Sequence, residues 1–355
     1  MKLKRLRPAR VKIAVVHFIQ SHIKIIGLSF LLIILLIGLV KLKLFFKKLN
    51  IVPQHAITLF QDPVDHLNHS DGRTNLLLLG TKGENQTDVS DLADTIILAS
   101  FLHSTNQITI ISIPRDLWVD SLKTKINAVY HYGQQRDPPA GISLIQASIQ
   151  ETLGIPIHYT GVVNFNSFVQ AIDLLEGISV NIENSFTDKL FPIPGQENAY
   201  PIENRYETIS FNQGLQTMTG ETALKFVRSR HAEGEEGTDF ARNKRQQLLI
   251  KALRQKLLST DVLFNESTRS SLLNIVQENL VTNVATDDYP SLIHLLVSSR
   301  DNPFKSINLS TESEDGSLAI LENPPRYLYQ NQWVLIAKDG NWEALKQYIQ
   351  NQLNQ

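Results

Sequence analysis

The sequence contains no cysteine. That excludes disulfides and thiolate metal sites, although many exported proteins also lack cysteine and the compartment stays open. No nucleophile elbow, phosphate-cradling P-loop or dinucleotide fingerprint is present. The histidines show no metal-ligand spacing; His131, His158 and His231 are isolated and default to structural roles. There is no internal repeat and no low-complexity tract. Residues 1–48 hold no acidic side chain but carry eleven Lys or Arg. The rest of the 355-residue chain therefore carries 23 basic against 35 acidic side chains, a balance of −12. An acidic body counts against nucleic-acid binding. With 42% hydrophobic and 19% charged residues the chain reads as globular rather than disordered.

The one long apolar run is IIGLSFLLIILLIGLV, residues 25–40, without a charge. Spanning a bilayer core takes roughly 20 residues. Lys24 and Lys41 can snorkel, and Leu42 and Leu44 to Phe46 extend the apolar length. KLKLFFKK follows rather than a small-residue cleavage site, so residues 25–46 read as an uncleaved transmembrane signal anchor. Seven basic residues precede the span and four follow it. The positive-inside rule then predicts a cytoplasmic tail over 1–24 and an extracytoplasmic body at the cell membrane.

Residues 47–72 lack steady periodicity and read as a linker. From 73 to 355 strand and helix signals alternate. NLLLLG (75–80), DTIILASF (94–101) and QITIISI (107–113) are strand-length apolar runs whose continuity predicts burial on both faces. Ile142, Ile145 and Ile149 form a helical stripe that Gly154 ends. HYTGVV predicts a further strand. In NSFVQAIDLLEGISV, Asn166 is the expected N-cap, Phe168, Ile172 and Leu175 the buried stripe, and Gly177 the stop. Residues 183–213 are polar with three prolines and read as an excursion over the surface. Helices are expected from about 219 to 300, then a strand at 333–337 and a helix at 341–353. The pattern predicts one three-layer α/β/α domain with a central sheet, preceded by a single transmembrane helix.

Two stretches point to anion chemistry. SIPRD (112–116) sets Arg115 just past a buried strand that Pro114 ends. FVRSRH (226–231) places Arg228 and Arg230 two apart, before an acidic glycine-rich loop and the helix TDFARNKRQQLLIKALRQKLL. Thr238 or Asp239 can cap that helix. Asp239, Arg242 and Gln246 share one of its faces. Arg242 opposes the helix dipole unless an anion binds there, which a helix start favours. Arginine forks match phosphate oxygens bidentately. The alternative is a solvated basic face paired with Glu233, Glu235 and Glu236. Asp88, Asp91 and Asp94 have a spacing that suits a hard cation, as well as an ordinary polar loop.

In order, NLLLLG, DTIILASF, QITIISIPRDLWV, KINAVY, LLEGISV, GLQTMTGETALKFVRSRH and DFARNKRQQ resemble the LytR-CpsA-Psr family of bacterial cell-envelope enzymes, from about residue 74 to the C-terminus. The resemblance implies a central mixed sheet between helices, with an apolar tunnel for a prenyl tail. It implies a phosphotransferase that moves a glycopolymer, such as teichoic acid or capsule, from a polyprenyl-pyrophosphate carrier to peptidoglycan. Hydrolysis of the same carrier, or non-catalytic binding as an attenuator, are the alternatives. Arg115, Arg228, Arg230 and Arg242 match the family's phosphate-binding arginines, Gln246 its glutamine, and Lys125 and Asn127 its KxN. Asp94 matches the second of two aspartates associated with magnesium; Asp239 or Asp94 is the expected proton acceptor or metal ligand. Two positions depart from the pattern. Lys82 stands where the first aspartate is expected, and Leu92 where relatives carry arginine. Either Asp88 or Asp91 replaces the missing ligand, or Lys82 supplies charge where Mg2+ would sit, or activity is reduced.

Overall fold

The computed structural model describes residues 66–83, 92–311 and 319–355. The tail, the anchor and most of the linker lie outside the described residues, as do Asp88 and Asp91. Among the described residues no helix is long and apolar enough to cross a membrane.

The chain begins with three antiparallel strands, β1 (Arg73–Thr81), β2 (Ala93–Leu102) and β3 (Gln107–Ser112). A short pair, β4 (Trp118–Val119) and β5 (Thr124–Lys125), leads into helices α1 (Ile126–Arg136) and α2 (Ala140–Leu153). Next come β6 (Tyr159–Asn164), α3 (Phe165–Leu174) and four strands: β7 (Ile178–Ile182), β8 (Phe186–Pro192), β9 (Tyr206–Phe211) and β10 (Gly214–Met218). Helices α4 (Gly220–Arg228), α5 (Asp239–Leu257) and α6 (Glu266–Asn279) follow. The remainder is β11 (Leu280–Thr282), α7 (Tyr289–Ser298), β12 (Lys305–Asn308), β13 (Leu321–Glu322), β14 (Ile336–Ala337) and α8 (Trp342–Asn354).

The central sheet runs β11-β6-β1-β2-β3-β12. It is mixed: β6 lies parallel to β1 and β12 parallel to β3, and the other pairs are antiparallel. Successive side chains of an apolar strand point to opposite faces, so both faces need cover. Leu77, Leu79, Ile96 and Leu98 pack with Val129 of α1, Ile145 and Ile149 of α2, and Ile349 of α8. Ile97, Ala99 and Ile110 pack on the opposite face with Leu295 of α7 and Ile250 of α5. This is the three-layer α/β arrangement that the strand runs predict. Gly154 ends α2 in the left-handed conformation at φ 71°, as expected of a C-cap glycine.

Three expectations change. Asn164, not Asn166, caps α3; its side chain accepts from Ser167 N–H at 2.8 Å. Residues 67 and 68, read as linker, pack on the body: Leu67 is buried and Asn68 N–H donates to Tyr159 Oη at 2.9 Å. The largest change concerns 183–213, where only the middle, 193–205, is a surface excursion. β8 and β9 pair antiparallel and bury Phe186, Phe191, Ile209 and Phe211 in a second core with Phe226. The Phe186 and Phe211 rings stack at 5.0 Å. Only alternate residues of these strands face that core, so the segment looks polar on average.

Candidate active site

One end of the central sheet gathers the end of β1, the start of β2 and the segment after β3. The antiparallel register makes this obligatory: Gly80 pairs with Thr95, and Ile97 with Ser112. Arg115 therefore lands beside Asp94, and its Nη1 donates to Asp94 Oδ1 at 2.6 Å. Pro114 turns the chain there, with Leu117 N–H donating to the Pro114 carbonyl at 3.0 Å. Arg115 Nε lies 3.6 Å from Asp116 Oδ2, and buried Asp116 accepts from Lys125 Nζ at 2.7 Å. Lys125 and Arg115 thus share one buried carboxylate that fixes their heads. Asn127 lines none of the three cavities described below; it is buried, and its backbone N–H donates to the Arg115 carbonyl at 3.2 Å.

The corner between α4 and α5 supplies the facing wall. Asp188 of β8, fully buried, organises it. Its Oδ2 accepts from Ser229 Oγ at 2.8 Å and from the backbone N–H groups of Arg230 and His231, each at 3.1 Å. Burial alone would push the Asp188 carboxyl up; the hydrogen bonds outweigh it and hold the group below its usual value. Arg245 clamps the same corner from beneath. It donates to the carbonyls of Phe226, Ser229 and Glu236 and to the Glu236 carboxylate, with its guanidinium 4.5 Å over the Phe186 ring. Thr238 caps α5, accepting from Ala241 N–H at 3.1 Å. The side chain of Asp239, like Asp88 and Asp91, lies outside the described residues.

Arg228 is held differently. Its guanidinium lies 4.8 Å over the Phe165 ring and 5.8 Å from that of Phe191, and it makes no hydrogen bond or ion pair to a described residue. Burial lowers its pKa, and the charge of Asp94 opposes that shift. An arginine still stays protonated. A half-buried cation without a hydrogen-bond acceptor is costly, which makes this group a natural partner for an anion.

Three cavities meet here in series. A cationic one of about 210 Å3 is walled by Lys82, Asp94, Arg115, Arg228, Arg230 and Arg242, with Thr95, Asp188, His231 and Gln246. It shares Thr95, Val227 and Gln246 with an apolar cavity of about 300 Å3 between β1, β2, α3, α5 and α6. It shares Arg115, Arg230, His231 and Arg242 with a third of about 610 Å3, which Lys125, Asn243, Asn308, Ser310 and Trp333 also line. The four arginines that the sequence singles out therefore surround one space, with Lys82 and Gln246. Sequence reasoning misses Asp188, Arg245, His231, Asn308 and Trp333. Asp188 sits in the segment read as polar, and His231 and Arg245 stand inside the two motifs without a spacing of their own.

Among the described residues no cluster of three or more acidic or histidine side chains forms a metal site. Mg2+ takes oxygen ligands in near-octahedral array, commonly one or two carboxylates plus phosphates. Asp94 offers a carboxylate already bonded to Arg115, and Lys82 lines the same cavity. The described donor set does not fit the ion.

A model of the LytR_cpsA_psr family matches residues 47–334. A polyisoprenyl-teichoic acid–peptidoglycan teichoic acid transferase TagU of Oceanobacillus iheyensis is 29% identical over 246 residues, 68% of each chain. The TagU of Enterococcus faecalis is 27% identical over 227 residues, 63% of this chain and 65% of that one. The fold is similar to that of B. subtilis TagV, with TM-score 0.55 and 20% identity over 81% of this chain and 99% of that one. It is also similar to a structure described as TagT bound to LIIa-WTA, with TM-score 0.54 and 22% identity over 82% of this chain and 96% of that one. With most of its length matched by one family model, the chain belongs to the LytR_cpsA_psr family.

Proposed function

We propose that this protein transfers a glycopolymer from a polyprenyl-pyrophosphate carrier to a peptidoglycan acceptor. The observation that carries the reading is the run of three cavities, apolar, cationic and polar, joined through Gln246 on one side and Arg242 on the other. An amphiphile with a prenyl tail, a diphosphate and a sugar has the same order of chemistries. The transferase names of the relatives support the reaction type.

The tail lies against Leu249, Leu253 and Ala171, the diphosphate among the arginines, and the sugar toward Trp333 and Asn308. A hydroxyl of the acceptor attacks the phosphorus that bears the glycan. The bond from that phosphorus to the bridging oxygen breaks, polyprenyl phosphate leaves, and the hydroxyl proton passes to a carboxylate or to water. Asp94 is the described carboxylate in the cationic cavity not consumed by backbone donors; Asp239, the first residue of α5 and three before Arg242, is the second candidate. Catalysis rests on positioning and charge stabilisation rather than on covalent chemistry. Residues 25–46 anchor the chain in the cell membrane with residues 1–24 cytoplasmic and the body outside. Protease digestion of intact cells that left the body untouched would reverse that orientation.

The test uses the full chain in detergent with a lipid-linked glycan and peptidoglycan. The expected products are glycan bound to peptidoglycan through a phosphodiester and free polyprenyl phosphate. Free glycan phosphate in the presence of acceptor would instead make the protein a hydrolase, and binding without turnover would make it an attenuator.

A further inference from the structure

Lys82 is an exposed lysine beside a largely half-buried arginine cluster. It follows β1, whose last residue Thr81 pairs with Ala93, so it leaves the sheet at the same end as Asp94, which sits in the irregularity between the Gly80–Thr95 and Thr81–Ala93 pairs. It lines the cationic cavity with Asp94 and Arg228. It makes no hydrogen bond or close ion pair with a described residue, and the nearest effect of its charge is on the exposed Glu197 carboxyl, whose pKa it helps to lower. Gathering like charges in one cavity is unfavourable unless an anion joins them. Two of the other charges are already balanced: Asp94 receives Arg115, and Asp116 receives Lys125. Asp188 is saturated by hydroxyl and backbone donors. Lys82, whose charge reaches the exposed Glu197 carboxylate, and Arg228, whose charge reaches Asp94, line the cavity with no hydrogen bond to a described carboxylate.

A diphosphate diester carries two negative charges at neutral pH, one on each phosphorus. Lys82 and Arg228 match that charge without a divalent ion. We propose that the Lys82 ammonium binds the diphosphate in place of a divalent cation, so that this site holds its lipid substrate independently of metal. The proposal rests on the glycopolymer-transfer reading above for the identity of the diphosphate. An ammonium suits the task because it is a compact charge with three donors on a flexible stem, able to follow the phosphate oxygens.

The probe is geranylgeranyl-diphosphoryl-N-acetylglucosamine, and its affinity for the full chain in detergent is measured by calorimetry in EDTA and in Mg2+. Wild type should bind within about twofold in the two buffers. Lys82→Met should lose about tenfold or more in EDTA, as expected for a charge-assisted hydrogen bond. Lys82→Arg should keep most of the affinity. Lys82→Asp, which sets a second carboxylate in the cavity that Asp94 lines, should be weak in EDTA and recover with Mg2+. Lys82 is exposed, so melting temperatures should match wild type in every variant. Wild-type binding abolished by EDTA, Lys82→Met binding like wild type in EDTA, or Lys82→Asp left weak by Mg2+ would overturn the proposal. A probe that binds no variant in either buffer would sink the carrier reading itself, whereas binding that depends on metal would sink only the role of Lys82.

Discussion

Arg245 and Arg228 come from the same corner of the molecule, one on α5 and one at the end of α4, and burial pulls the pKa of both downward. Their surroundings are opposite. Arg245 sits beneath the turn and spends its donors on three carbonyls and one carboxylate. Arg228 sits on the cavity wall over the rings of Phe165 and Phe191 and makes no hydrogen bond or ion pair to a described residue. The first is a brace and the second is a socket. Burial of an arginine does not by itself separate the two roles; the fate of its N–H groups does.

The contrast is broken most directly by removing each side chain in turn. Arg245→Met should cost about 3–5 kcal/mol of stability, because it strands Glu236 and leaves the Phe226 and Ser229 carbonyls without their donor. Chemical denaturation measures it. Arg228→Ala should leave stability near wild type while lowering the transfer rate by about 10²–10³-fold, the size of losing one donor to a developing anion. If Arg228→Ala melted far below wild type at normal activity, the two roles would be exchanged. Asp188→Asn should cost about 1–3 kcal/mol, since it keeps the shape of the acceptor but not its charge. The Asp188 carboxyl has a folded pKa below its ordinary 3.8. Its contribution is therefore present above that value and is lost as pH falls through the folded value. The melting-temperature gap between wild type and Asp188→Asn should accordingly close as the pH is taken below about 4. Phe165→Leu is the smallest change. It removes one ring from under Arg228 and should weaken binding of a prenyl diphosphate by about 0.5–1 kcal/mol, read by titration.

The sheet and its cover were legible because the strand runs are apolar on both faces, as at Leu76 to Leu79 and Ile96 to Ala99. The arginine cluster was legible because each member sits in a short, punctuated motif. The second core was not. In Ile178–Ile182 only every other residue is buried, and in Phe186–Pro192 Asp188, Lys189 and Pro192 dilute the signal. Asp188 went unseen for the same reason: a carboxylate in a polar stretch looks solvated until the fold brings the Ser229 to His231 turn onto it. The N-cap of α3 was misplaced by two residues because Asn164 and Asn166 offer the same side chain, and only the strand end at Asn164 decides between them.

The account stands on one molecule threading three cavities. A structure of the full chain bound to geranylgeranyl-diphosphoryl-N-acetylglucosamine tests it most directly. The account predicts phosphate oxygens within hydrogen-bond reach of Arg115 and Arg228, the tail against Leu253, and the sugar beside Trp333. A diphosphate seated elsewhere, or a tail running toward Trp333, would contradict it.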